Sequence, residues 1–216
     1  MENIENYNKE IINYIIPMGS QCFSAFFLKM NDLKLTSYPF DWIFSNPSII
    51  KDMLDDNFEK FLDKNNYLHD DRFEKNKHKI YLPDMYLFNH RNPSKEVDHN
   101  YYVKCVNRLY NVFEKNGRKL FLMTILNNEI KNEIKNIFSL KEKLDILTDD
   151  FLLICFFQKK RGYQNKELYK YDDNLIIINI STIDGENGVI FENEEDNLFY
   201  KNIMFELFTF ELNEIL

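Results

Sequence analysis

The chain has 216 residues, 44% hydrophobic and 16% aromatic, which is enough apolar mass for one sizeable core and well outside the disordered regime. With 35 acidic against 27 basic residues the net charge is −8, which disfavours a general binder of nucleic acid or of an anionic membrane but leaves room for a local basic pocket. Only five glycines and five prolines argue against a loop-rich or all-β chain.

Residues 1–10 are polar and acidic, are expected to fray, and carry no apolar run of the secretory type. The β-branched run over 11–16 predicts a buried strand ended by Pro17 and Gly19. After a Gly19-Ser20-Gln21 turn, Phe23, Phe26, Phe27 and Met30 are spaced as one stripe of a helix over 22–30. Tyr38-Pro39-Phe40-Asp41-Trp42 has no period and reads as a rigid loop or short strand, since Pro39 holds Tyr38 extended. Asn46 and Pro47 start a helix expected to run to about 62, followed by a charged surface excursion over 63–78. Short strands are predicted over 79–82 and 85–88, then a polar loop from Asn89 to Pro93.

The second half is more regular. A helix over 98–115 stops at Asn116-Gly117, a strand covers 119–125 and a helix covers 129–144. Apolar strands come next over 151–157 and 175–180, and an amphipathic helix over 196–212 closes the chain. Strands without polar alternation, separated by helices, predict a single α/β domain over 1–216. Its central sheet is expected to be mixed or mostly parallel, with helices on both faces. The longest apolar runs, over 151–157 and 175–178, are too short to span a bilayer.

Three cysteines, Cys22, Cys105 and Cys155, stand far apart with no CxxC pair. That spacing argues against a disulfide scaffold or zinc site and for reduced thiols in a cytoplasm-like compartment. Cys155 lies inside an apolar strand and Cys105 in mid-helix, so both read as core. Cys22 instead stands at a strand-to-helix junction, where the partial positive charge and free N–H groups of a helix start can lower a thiol's pKa. Cys22 is therefore the candidate nucleophile.

A thiol nucleophile needs a base. His90 is expected at the end of the 85–88 strand, where sites in such sheets gather. His69 and His78 lie in the charged excursion and are expected to be solvated, and His99 sits in the first turn of a helix. Asp41, between Phe40 and Trp42, needs a partner: it would orient an imidazole, bind substrate, or pair with Arg91 or Arg108. Ser20 and Gln21, with the N–H groups of residues 21–23, are positioned for an oxyanion hole. Trp42, Arg91 and Arg108 complete the candidate substrate-contacting set. No Gly-rich phosphate loop, HExxH or close His/Cys cluster is present, so no metal site is expected.

Pro17-Met18-Gly19-Ser20-Gln21-Cys22, followed by an amphipathic helix, then Pro39-Phe40-Asp41-Trp42-Ile43 and Phe88-Asn89-His90 before a helix with Lys104 and Arg108, resembles a family of bacterial and large-virus proteins described as papain-like cysteine peptidases. The resemblance covers roughly residues 12–125. It implies Cys22 as nucleophile and His90 as base, with Asp41 beside them. A papain-type site normally adds an Asn or Asp after the histidine, for which only Asn92 or a residue near Asp172 offers itself.

The expected chemistry is acyl transfer through an acyl-cysteine. An N-acyltransferase moving an acetyl-type group to an amine of a small molecule or sugar is favoured, with no permanently bound cofactor and acetyl-CoA as the candidate co-substrate. A cysteine peptidase or other thiol hydrolase is the alternative, and a non-catalytic binding or assembly domain using the aromatic 199–210 helix is the third. The expected partners are small-molecule or peptide acyl donors and acceptors, not nucleic acid or membrane.

Overall fold

The computed structural model describes residues 9–73 and 75–214. Its centre is a five-stranded sheet in the order β2-β5-β6-β8-β7, built from β2 (Tyr14–Pro17), β5 (Lys119–Leu126), β6 (Phe151–Lys160), β8 (Leu175–Thr182) and β7 (Asn165–Asp172). The first four run parallel and β7 pairs antiparallel with β8 at the edge. The fold is thus the expected mixed, mostly parallel α/β sheet.

Helices cover both faces because the central strands are apolar on both. Side chains alternate along a strand, so Phe121, Met123, Cys155 and Phe157 face one layer while Leu120, Leu122, Ile154 and Phe156 face the other. The first layer is built from α2 (Pro47–Asp55), α3 (Glu59–Leu62), α4 (Glu96–Phe113) and α5 (Ile130–Leu147). The second is α1 (Phe23–Met30) and α6 (Glu194–Leu207), whose Tyr200 packs edge-on against Phe23 and Phe27.

Several boundaries differ from the sequence expectation. The 11–16 strand divides at Asn13, giving β1 (Glu10–Ile12), which pairs with β9 (Phe208–Phe210), and β2, which enters the main sheet. Of the segment expected to fray, 1–8 lie outside the described residues and Glu10 belongs to β1. The helix predicted to reach 62 breaks between α2 and α3, where Asn57 and Phe58 take positive φ. The last helix ends at Leu207, and the chain passes directly into strand β9.

The charged excursion is an antiparallel hairpin, β3 (Tyr67–Asp70) with β4 (Lys75–His78). His78 is buried there, contrary to the solvated position expected. Its Nδ1 accepts from the N–H groups of Ile80 and Tyr81 and its Nε2 donates to the Lys60 carbonyl, the pattern of a neutral ring; desolvation pushes its pKa down against the upward pull of that carbonyl. The strands expected over 79–82 and 85–88 do not form; only Phe88 makes bridges, to Ile43 and to Asn76. Among the described residues no helix is long and apolar enough to cross a membrane.

Candidate active site

The site lies at the carboxyl end of β2. Met18 still follows the sheet through its N–H bond to the Leu122 carbonyl, and Gly19 then turns the chain into α1. Gly19 has φ +80°, and a Cβ there would collide with Ser45 Oγ. Only glycine meets both conditions. The turn is pinned from three sides. Ser20 Oγ donates to the Thr124 carbonyl at 2.9 Å, the Ser45 N–H donates to the Ser20 carbonyl at 3.0 Å, and Ser24 Oγ sits 3.2 Å from the Gly19 carbonyl. Ser24 also reaches Thr124 Oγ1, which meets the Tyr200 hydroxyl, so the turn is tied to β5 and α6.

This arrangement places Cys22 at the N-cap of α1. The first intrahelical bond runs from the Phe26 N–H to the Cys22 carbonyl, so the N–H groups of 23–25 have no intrahelical acceptor, and no side chain caps them. Cys22 is 7% exposed, and its Sγ lies 3.3 Å from His90 Nε2, across 68 residues of sequence. His90 itself is exposed on its outer side.

The histidine reaches the thiol without being at the end of a strand. Phe88 bridges Ile43 on one side and Asn76 on the other, and the Phe44 N–H bonds the Leu87 carbonyl. The Pro-Phe-Asp-Trp segment and the histidine segment are thereby zipped together. Trp42, half-buried, presents an edge-on contact to the His90 ring at 5.7 Å between centroids. Asn76 brackets the base: its carbonyl accepts from the Phe88 N–H, its Nδ2 donates to the Arg91 carbonyl at 3.1 Å, and its Oδ1 meets His69 Nδ1 at 2.8 Å.

Asp41 is buried but does not orient the imidazole. Its carboxylate forms an ion pair with Lys34, a side chain only 10% exposed. Among the described residues no carboxylate is hydrogen-bonded to His90, and the second oxygen of Asp41, Oδ1, is buried without a partner. Burial raises the Asp41 pKa to about 6 against the opposing pull of Lys34. That charge is felt by the nucleophile. Desolvation first, and then Asp41, push the Cys22 thiol up to about 11, the reverse of the lowering expected from a helix start. Burial sets this direction because the thiol is nearly closed to water. The thiol is therefore protonated at rest, with His90 Nε2 within reach of its proton.

Most of the remaining candidates are committed to partners of their own. The Ser20 hydroxyl is engaged by Thr124, so it holds the turn and is not free to serve an oxyanion. The Gln21 side chain lies over Gly188, where an added Cβ would come within 2.7 Å of its Oε1. Arg91 pairs with Asp98 at 2.8 Å and stacks 3.6 Å over the Tyr101 ring. Arg108 donates to the Ser37 carbonyl, supporting the loop that carries Asp41. Neither arginine pairs with Asp41. Asn92 binds the Ser94 N–H, and Asp172 pairs with Lys141 on the far edge strand, so neither joins His90 in a papain-type set. Cys105 and Cys155 are fully buried, and all three thiols are free. No group of three or more His, Cys, Asp or Glu is placed to hold a metal among the described residues.

Two residues that shape the site were not singled out in sequence. Lys34, between Leu33 and exposed Leu35, reads as a surface lysine, and nothing local ties it to Asp41. Asn76 and His78 are two apart in a charged run, the period of a strand with one inward face. Compared with known proteins, the chain matches no family model, no curated protein and no solved structure.

Proposed function

We propose that this protein is a cysteine-nucleophile acyl-transfer enzyme, of which an N-acyltransferase is the favoured form. The observation that carries the reading is the 3.3 Å approach of Cys22 Sγ to His90 Nε2 at the start of a helix whose first N–H groups are uncapped. The family resemblance noted for the Gly-x-x-Cys and Pro-Phe-Asp-Trp motifs supports the same two residues.

With the thiol protonated at rest, attack is general-base assisted. His90 takes the thiol proton as sulfur adds to the carbonyl of an acyl thioester, of acetyl type at its simplest. The uncapped N–H groups are the candidate donors to the oxyanion. Collapse expels the donor thiolate, which takes the proton from His90 and leaves acyl-Cys22. An amine then attacks this thioester, His90 accepts its proton, and the Cys22 thiolate departs and is reprotonated.

A hydrolase is the second reading. It is favoured by the exposed outer side of His90, which lets water reach the acyl-enzyme. The two are separated by incubating the protein with an acetyl thioester and a panel of primary amines, and analysing products by mass spectrometry. Amide that depends on both Cys22 and His90 supports the transferase. Free acid alone, with the same dependence, replaces it by the hydrolase. Neither product, with Cys22 unacylated, overturns both.

A further inference from the structure

A polar cavity of about 370 Å³, within the size range of small-molecule sites, opens at the carboxyl ends of β6 and β8. Ligands of open α/β sheets gather beyond those ends. The cavity lies on the face of the first helical layer. On that face Cys155, Phe157 and Ile177 are core, and the same rows then turn polar, with Lys159 on β6 and Asn179 and Ser181 on β8. Asn165 and Glu167 of β7 pair beside Ser181 and Asn179 and extend this polar floor. The start of α5 and the β6–β7 connection complete the lining. The charges there do not cancel. Glu129 is one carboxylate answering two lysines, Lys159 at 2.5 Å and Lys131 at 2.7 Å. Arg161 has no side-chain partner among the described residues, and Glu167 is engaged by the Tyr169 hydroxyl. Three cations against two carboxylates leave the cavity positive in a chain of net charge −8. The side chains of Tyr163, Asn165 and Ser181 also make no hydrogen bond among the described residues.

We propose that this cavity binds a small phosphate monoester with a hydroxylated carbon skeleton, a sugar phosphate in class. The phosphate is assigned to Arg161 and Lys159. A guanidinium fork matches phosphate oxygens in pairs, and an unpartnered one is free to do so. A phosphate dianion answers both Arg161 and the one lysine charge that Glu129 leaves unmatched, whereas a single carboxylate answers only one of them. The hydroxyls are assigned to the floor, because Asn165, Asn179, Ser181 and Glu167 offer donors and acceptors side by side, as hydroxyl groups require. The lining is too polar for an aliphatic ligand. This site is separate from the thiol, since neither Cys22 nor His90 lines it, and it stands whether or not the protein transfers acyl groups.

The test is calorimetric titration of the whole protein at low salt with glucose 6-phosphate, inorganic phosphate and glucose. Saturable binding of glucose 6-phosphate is expected, with inorganic phosphate competing at least tenfold more weakly and glucose weaker still. Arg161→Gln should weaken both phosphate compounds at least tenfold. The Asn165→Ala, Ser181→Ala double variant should weaken glucose 6-phosphate at least threefold and leave inorganic phosphate unchanged. Arg161 and Asn165 are exposed and Ser181 is half-buried, so the variants should fold, which circular dichroism would confirm. Alkylation of Cys22 should be the same in all of them, which separates this site from the thiol. No saturable binding of either phosphate compound, or binding indifferent to Arg161→Gln, overturns the site. Equal affinity for glucose 6-phosphate and inorganic phosphate, or a glucose 6-phosphate affinity unmoved by the double variant, overturns the sugar-phosphate assignment.

Discussion

Replacing His90 by alanine separates a thiol that depends on a neighbouring base from one that is already ionised. Burial and the Asp41 charge push the Cys22 thiol up to about 11. At pH 7 such a thiol is ionised to about one part in ten thousand, against about one in thirty for an ordinary cysteine of pKa 8.5. On the proposed mechanism the wild-type protein would avoid this scarcity by passing the proton to the imidazole 3.3 Å away as sulfur attacks. General-base assistance is typically worth ~10²–10⁴-fold, so His90→Ala should slow alkylation of Cys22 by iodoacetamide at pH 7 by roughly that factor. The variant's rate should then rise about tenfold per pH unit toward pH 11, as direct ionisation takes over. The assay is the rate of adduct formation at Cys22, followed by intact and peptide mass spectrometry from pH 6 to 10, with buried Cys105 and Cys155 as internal controls. An unchanged rate in His90→Ala at pH 7, or a Cys22 that titrates near 8.5 in that variant, would refute the description of a buried, protonated thiol that depends on His90.

Asp41 supplies a stability test. Its pKa is raised from 3.8 to about 6 in the folded protein, so the folded state binds the proton more tightly than the unfolded one. The associated stability is fully present below pH 3.8 and is lost as the pH rises through 6, about 3 kcal/mol in all, and denaturant titrations of Asp41→Asn should lack that slope. Because burial outweighs Lys34 in that shift, Asp41→Asn, which removes the buried charge, should be nearly neutral at pH 7, whereas Lys34→Met, which leaves the carboxylate buried and unpaired, should cost about 3–5 kcal/mol in the same titrations. Gly19→Ala forces a methyl group onto Ser45 Oγ at a positive φ and should lower stability by ~1–3 kcal/mol, while Ser45→Ala, which removes a hydroxyl without a partner, should be nearly neutral in thermal melts. Asn76→Ala should cost about 1–3 kcal/mol and slow Cys22 alkylation without contacting the thiol, because it frees the segment carrying His90; equal alkylation rates would show that Asn76 does not position the base.

The parts of the fold that were readable in sequence are those where one force dominates. β5, β6 and β8 are near-continuous apolar runs because both faces are covered, and their positions were plain. β7 was missed because it is an edge strand with a mostly solvent-facing pattern, Asn165-Lys166-Glu167-Leu168, whose composition disfavours strands and whose formation depends on β8. The single strand expected over 11–16 became two because Asn13 caps the turn before β5, accepting from the Arg118 N–H, and sends each half to a different partner. The break between α2 and α3 at Asn57 and Phe58 carries no glycine or proline to announce it; burial of Phe58 compensates a left-handed backbone.

The same division holds at the site. The structure brings His90 to Cys22 from a loop and not from the strand end expected, while Cys22 itself, at a strand-to-helix junction, was legible from local pattern. The partner of Asp41 was not, since an ion pair to Lys34 is a tertiary choice that neither residue's neighbours encode. The direction of the thiol's shift was misread for a related reason. A helix start can be recognised in sequence, but how completely the layers around it exclude water cannot, and here exclusion dominates.

The most direct measurement is the intact mass of the protein after brief exposure to acetyl-CoA or an acetyl thioester, in wild type, Cys22→Ala and His90→Ala. A single acyl adduct that maps to Cys22, disappears in Cys22→Ala and forms at least a hundredfold more slowly in His90→Ala is the expected result. An adduct on Cys105 or Cys155, or none on Cys22 under conditions where iodoacetamide labels it fully, would contradict the assignment of Cys22 as an acyl-accepting nucleophile.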